Sequence, residues 1–376
     1  VKHALSLLLA VHGAIHLLGF VKGFELAPVI PLKQPISRAT GALWLLAALL
    51  LFASAALLHA APGRWWLAAV PAVVLSQALV LGAWTDARFG TVANAILLVP
   101  LAVALLQRAP WSLRAEFDRA VAARPPAAVA GPSDAVTAAD LAHLPATVRR
   151  HVERAGAVGR PHVRGFEARF TGRLRNGVGS PWMEIEAEQR TTLEPPARLF
   201  FVTAARAGVP FHAFHQLTPE GATMRVRVAG LAQVVDARGP EMDRSEAVTF
   251  FNDLCVLAPG ALVDAPVRWE ELDPRTVRGT FTLGRETVSA TLAFDEAGDL
   301  VGFTSQDRSM SADGKTFERH PWSTPLRDHA VFGDVRVARR GAAAWSLPTG
   351  EFTYGEFFLE SLRTHPAPAP ASARGR

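Results

Sequence analysis

The amino-acid sequence predicts two physically different halves: an α-helical membrane bundle of four transmembrane helices, then an α+β domain made of a curved antiparallel sheet or half-barrel with a few covering helices. Three observations predict it. Residues 1–110 hold seven of the chain's 39 lysines and arginines and two of its 34 acids, leaving 32 of each beyond. Four apolar stretches lie within that low-charge third. From residue 162 onward, apolar and polar residues alternate with period two, the pattern of half-buried strands.

The four stretches are 4–21, 39–58, 65–83 and 89–106. Each approaches the ~20 residues a helix needs to cross the hydrocarbon core. Pro28, Pro31 and Pro35 break the first connection, Pro62-Gly63 makes a short second turn, and Trp65, Trp66, Trp84 and Trp111 fall at interfacial positions. A cleaved signal peptide would account for the first stretch alone, so a retained multi-pass bundle is expected, with both termini on one side. Six basic residues near the helix ends (Lys2, Arg64, Arg108, Arg114, Arg119, Arg124) lie on the terminal side, against four (Lys22, Lys33, Arg38, Arg88) opposite. That difference leans the soluble domain toward the cytoplasm.

Polar residues inside such stretches are the first candidates for chemistry. His12 and His16 share one face of the first helix, Gln77 and Asn94 lie within the third and fourth, and Arg38 and Asp86 flank the second and fourth. As a functional site, this set would serve a redox or proton-linked membrane enzyme. As a structural one, it supplies hydrogen bonds between helices, which is the favoured reading. Two histidines on one helical face cannot bracket a haem iron, and no cofactor is expected.

Residues 1–110 thus form the membrane domain, and 111–135 an amphipathic segment plus a Pro/Ala-rich linker. Trp111, Leu113, Phe117 and Val121 are spaced to lie along a membrane surface. Residues 136–365 are the β-rich domain, and 366–376 a tail disordered by composition. A helix over 145–155 should bury Val148, Val152 and Ala155. Strands follow, including 166–170, 183–188, 197–204, 211–217, 224–228, 334–340, 343–347 and 351–363, interrupted by a helix over 244–258 that ends before Pro259-Gly260. Two helices must cover the dry face of many strands, so the sheet must curve around them. The interior is then a solid core or a site for a greasy ligand.

The balanced charge beyond residue 110 argues against a nucleic-acid partner, since phosphate binding needs a basic excess. Cys255 is the one cysteine, which excludes an intrachain disulfide and a cysteine-cluster zinc site. In a helix beside Leu254 and Val256 it reads as a small buried hydrophobe. His212 and His215 point to opposite faces of one strand, and no metal site is expected. No phosphate loop, dinucleotide fingerprint, nucleophile elbow or His-Glu-x-x-His helix is present in the sequence. The β-domain's densest polar and aromatic groups are Trp269, Glu271, Arg308, Trp322, Ser323 and Asp328. An enzyme would use a carboxylate with His329, and Arg308 or Arg327 to hold an anion. The alternative has the tryptophans filling the core, Pro321 and Pro325 shaping a turn, and the charges pairing at the surface.

The strings FFNDLCVLAPGALVDAPVRWEELD (250–273), VSATLAFDEAGDLVGFTSQDR (288–308), HPWSTPLRDH (320–329) and GEFTYGEFFLESL (350–362) resemble an uncharacterised bacterial family of membrane proteins. HGAIHLLGFVKGF and WTDARFGTVAN resemble the amino-terminal unit of its longer members. The family implies a four-helix membrane unit ahead of a β-rich domain, multi-pass in a bacterial inner (cytoplasmic) membrane. The architecture of that domain is similar to periplasmic lipoprotein-carrier folds, whose half-barrel holds acyl chains. The expectation is therefore a membrane-tethered binding protein for an apolar ligand, a lipid or acyl chain, with membrane lipid as its partner. A membrane-embedded redox or proton-linked enzyme is the alternative.

Overall fold

A computed structural model describes residues 2–125, 135–311 and 313–366; most of the expected linker (126–134) and the tail from 367 lie outside the described residues. The chain divides into two compact units, Val1–Ser112 with Ala207–Val209, and Leu113–Arg206 with Pro210–Arg376.

The first unit is helical: α1 (Lys2–Gly23), α2 (Arg38–Ala60), α3 (Trp66–Gly82), the single turn α4 (Trp84–Ala87) and α5 (Gly90–Leu106). By length and composition, α1 and α2 are long and apolar enough to cross a membrane. The expectation of four such helices is corrected here, because α3 and α5 have 17 residues each. The backbone leaves the helical path at Ala83 (φ −115°, ψ 35°). That break makes Trp84–Ala87 a turn of its own and delays α5 to Gly90. Apolar side chains face outward, with Leu7 65%, Val74 66% and Val99 67% exposed, while His12, Ser76 and Asn94 are buried. Small residues let α1 and α2 approach closely. A Cβ on Gly19 would collide with the Trp44 ring, and one on Gly23 would lie 2.8 Å from the Gly41 Cα.

The second unit is built on antiparallel strands: β1 (Val163–Leu174), β2 (Met183–Leu193), β3 (Pro196–Arg206), β4 (Val209–Thr218), β5 (Gly221–Val228), β6 (Ala232–Arg238), β7 (Val267–Asp273), β8 (Thr276–Leu283), β9 (Glu286–Phe294), β10 (Leu300–Ser305), β11 (Ser309–Met310), β12 (Glu318–Arg319), β13 (Trp322–Phe332), β14 (Val335–Leu347) and β15 (Gly350–Pro366). β11 and β12 pair apart, and the other thirteen form one sheet in the order β6-β5-β4-β3-β2-β1-β15-β14-β13-β10-β9-β8-β7. β1 and β15 join two meanders, so the last strand closes the middle of the sheet and the edges stay open.

Three helices accompany the sheet: α6 (Leu113–Ala122), α7 (Ala146–Arg154) and α8 (Pro240–Leu257), the last followed by a 3-10 segment, Pro259–Val263. α8 lies against β5 and β6 at one edge and against β9 and β10 near the other. Strands are about 4.8 Å apart and a helix is about 10 Å across, so the sheet must curl to touch one helix from both sides. Its inner face against α8 holds Phe250, Phe251 and Leu254 among Val277, Phe281, Leu292 and Phe303, all buried. Val148 and Val152 of α7 join that core, as their spacing predicts.

Two expectations need correction. α6 does not keep its apolar face for a membrane surface: Leu113 and Phe117 are buried on the outer face of the sheet against Leu199, Phe201 and Phe214. From Trp322 onward the 320–329 segment is not a turn but part of β13, paired with β10 and β14. Pro325 is accommodated opposite Gly302, where the small neighbour leaves room.

Candidate functional site

Register shows which side chains share the inner face with α8. Gln189, Arg198 and His215 all bond to α8 carboxylates, and strand side chains alternate. Ala187 and Ile185, then Phe200, Val202 and Ala204, then Ala213 and Phe211, therefore face the same way. Phe170 stands opposite Ala187 on β1, and its ring meets those of Phe200 and Phe357, each with centroids 6.3 Å apart. These residues, with Leu174 and Val226, make an apolar cluster whose members all come from β1–β5 and β15. Its floor is buried and largely small (Ala187, Ala204 and Ala213 beside Ile185 and Val202), and its phenylalanines are half-buried. The inner face is thus filled by helix at one end and lined by strands at the other.

Where the two ends meet, α8 is polar. Arg198 donates Nε to Asp253 at 2.6 Å and Nη1 to Glu246 at 3.1 Å. Gln189 donates to Asp253 at 2.6 Å, and the His215 ring nitrogen Nδ1 lies 3.1 Å from Glu246. Burial raises both carboxyls. The adjacent Arg198, with His215, more than reverses this for Glu246 and holds it at about 2. Asp253 stays above its ordinary value because burial outweighs Arg198. Burial, with Asp253 nearby, also pushes the Cys255 thiol well up, and this side chain is fully enclosed.

The residues singled out in the β-domain do not converge as a group. Arg308 and Trp322 do meet: the guanidinium lies 4.6 Å from the Trp322 ring and 5.4 Å from that of Trp345. Its Nε donates to Thr249 and its Nη1 to the Tyr354 hydroxyl, both at 3.2 Å. Trp269 packs on Phe251 across the α8 core, with ring centroids 6.2 Å apart. Glu271 is exposed on β7, and Ser323 pairs by its backbone with Thr304 and Ala344. Asp328 is exposed, has φ 59°, and pairs with Arg340 at 2.8 Å. Sequence reading missed Arg198, Glu246, Asp253 and Tyr354. The available signal was Glu246 and Asp253 seven residues apart in a helix otherwise apolar enough to be buried, which demands a cation opposite.

In the helical unit the expected cluster divides. His12 Nε2 lies 3.0 Å from both Asn94 Oδ1 and Ser76 Oγ. The amide oxygen only accepts, so Nε2 carries the hydrogen. Asn94 donates to Gln77 at 3.0 Å, and Gln77 to Thr91 at 3.1 Å. His16 donates Nδ1 to the His12 carbonyl at 3.1 Å, while its buried Nε2 has no partner among the described residues. Asp86 stands outside this chain, accepting the backbone N–H groups of Lys33 and Gln34 at 2.6 and 2.8 Å. Arg38 opens α2 and joins no bond of the network. A cavity of about 420 Å³ is lined by Gln34, Thr40, Trp44, Leu79 and Asp86 among others. Among the described residues, no group of three or more His, Cys, Asp or Glu side chains is placed to hold a metal ion.

No curated protein matches the sequence. Solved structures similar to the chain include a LolA superfamily protein from Nitrosomonas europaea (11% identity, 62% of this chain and 96% of that one, TM-score 0.33). A DUF1329 family protein from Desulfovibrio piger is similar at 12% identity over 58% of this chain and 92% of that one, TM-score 0.32. A domain named for outer membrane lipoprotein sorting, from Vibrio parahaemolyticus, is similar at 12% identity over 54% and 85%, TM-score 0.32. The sequence model of one family matches residues 134–357, more than half of the chain, and the chain accordingly belongs to the family of unknown function DUF6544.

Proposed function

We propose that this protein is a membrane-tethered binding protein for an apolar ligand, a lipid or acyl chain, held on the inner face of the β-sheet beyond α8. One observation carries the reading: that part of the face is lined by strand residues alone, with small buried residues as floor and half-buried phenylalanines as walls. A sheet face closed by packing would bury those rings under a helix, as α8 does for Phe281 and Phe303. Leaving several phenylalanine rings partly exposed forgoes roughly 0.5 kcal/mol each, which a chain of CH₂ groups laid against them would recover at about 0.8 kcal/mol per buried CH₂. The outward apolar surface of α1–α5 supports the tether. In this proposal α1 and α2, the two helices long and apolar enough to span, carry the tether.

The test is native mass spectrometry of the full chain, gently extracted in nonionic detergent, as wild type and as Ala204→Trp. Ala204 is 5% exposed on the floor, so an indole there occupies the ligand's volume. A lipid-sized adduct on wild type that falls at least severalfold in the variant is expected. No adduct, or equal adducts on both folded proteins, would count against the reading.

A second reading, a proton- or redox-linked site in the helical unit, is favoured by the His16 Nε2, which has no partner among the described residues, beside the His12–Asn94–Gln77 chain. A stoichiometric quinone or haem extracted from wild type and lost in His16→Ala would carry it; an empty extract would retire it.

A further inference from the structure

The geometry points to a head-group site at the rim of the apolar face: Arg308 and Tyr354 form a pocket for the anionic carboxylate head of an acyl-chain ligand. This rests on the apolar-ligand reading above and specifies the chemistry of the ligand's polar end.

Arg308 is half-buried and clasped between the rings of Trp322 and Trp345. Both of its hydrogen bonds go to neutral hydroxyls, Thr249 and Tyr354. Among the described residues no carboxylate lies within ion-pairing distance of it. The nearby acids are engaged elsewhere. Asp307 accepts the N–H and hydroxyl of Ser289 at 2.7 and 3.2 Å and lies 3.5 Å from Arg244. Glu246, near enough to feel the charge of Arg308, turns its oxygens to Arg198 and His215. A guanidinium has five N–H donors in a planar fork that suits a carboxylate or phosphate. Here the Nη2 edge has no partner among the described residues.

Tyr354 completes the pocket. It is the chain's single tyrosine. Its hydroxyl oxygen accepts from Arg308 Nη1 at 3.2 Å and from Trp322 Nε1 at 3.1 Å. Both lone pairs are then used, and the hydroxyl hydrogen is left to donate, with no acceptor among the described residues. Two donors without acceptors, one of them cationic, thus converge where they would serve an anion. The apolar face begins at the next residue: a Cβ on Gly355 would lie 2.8 Å from the Phe357 ring and 2.9 Å from Leu174 Cδ2. A ligand with its head on Arg308 and Tyr354 therefore has its first methylenes against Phe357 and Leu174.

The experiment is competition for the full chain in nonionic detergent. A fluorescent acyl probe is displaced by palmitate or by methyl palmitate from wild type, Arg308→Met and Tyr354→Phe. Methionine keeps an unbranched apolar stem between the two indoles, and phenylalanine keeps the ring. Wild type should prefer the acid to the ester by about tenfold or more, as a charge-assisted hydrogen-bonded pair gives. The ratio should fall to about one in Arg308→Met and by about threefold in Tyr354→Phe, the loss of one hydrogen bond. Equal affinity for acid and ester in wild type, or a ratio unmoved by either substitution, overturns the head-group site and leaves the apolar face intact. Failure of the probe and both competitors to bind overturns the apolar-ligand reading, and the head-group site with it.

Discussion

His151 of α7 is buried, with its ring nitrogen Nε2 3.1 Å from the Cys255 carbonyl and its ring 5.4 Å from that of Phe294. The carbonyl only accepts, so Nε2 donates. Burial outweighs that bond and holds the imidazole neutral, bringing it down to about 4 from an ordinary value of 6.5. Between those values the unfolded chain takes up a proton that the folded one refuses. Stability therefore falls as pH drops through this window and is untouched above it. His365, also brought down to about 4 by burial beside Arg190, acts in the same direction. Thermal unfolding of the full chain should show stability declining from pH 7 to pH 5, with His151 supplying about 2 kcal/mol of the loss at pH 5. His151→Gln, which retains a donor for the carbonyl, should flatten the decline. An unchanged slope would show that His151 is protonated in the fold. The same scale holds the acidic limit. Asp299 accepts two bonds from Arg154 at 3.1 Å and two from Arg336 at 2.7 and 3.3 Å. Burial raises its carboxyl, and the two guanidinium groups overcome that and keep it well below the usual carboxylate range.

Among the elements, α8 decides the architecture, because it is buried on nearly every side and yet carries charge toward the sheet. Glu246 is 0% and Arg198 5% exposed. Removing one member of such a set leaves uncompensated charge in the interior. Arg198→Met should therefore cost about 3–5 kcal/mol of stability, measured by denaturant unfolding of the β-unit signal in the full chain. A loss below 1 kcal/mol would mean that the two carboxyls are neutral or hydrated. The strands around α8 were legible in sequence wherever one face is wet, as in the Met183-Glu184-Ile185-Glu186 alternation. β13 was not. Its Pro321 and Pro325 read as turn residues, and its burial alternates poorly, since Ser323 and Thr324 are both half-buried and Arg327 and Asp328 both exposed. The 17-residue limits of α3 and α5 were also illegible, because hydropathy runs on through Ala83 while the backbone does not. In the site, Arg308 and Trp322 were visible as types, but their meeting with Tyr354 depends on pairings among β13, β14 and β15 that local sequence does not encode.

At the scale of the whole molecule, the two units invert each other's solvent logic. The helical unit turns leucine and valine outward and buries His12, Ser76 and Asn94, as a lipid-facing bundle does. The β-unit buries a helical core at one end of its inner face and leaves strand-lined apolar surface at the other. In the proposed function, that strand-lined surface is where the apolar ligand lies. The measurement that tests this most directly is photo-crosslinking of the full chain with a diazirine-bearing fatty acid, followed by peptide mapping. Labels concentrated on the inner-face positions of β1–β5 and at Phe357, and competed away by unlabelled palmitate, are the predicted result. Labels confined to α1, α2, α3 and α5, with none on those strands, would contradict it.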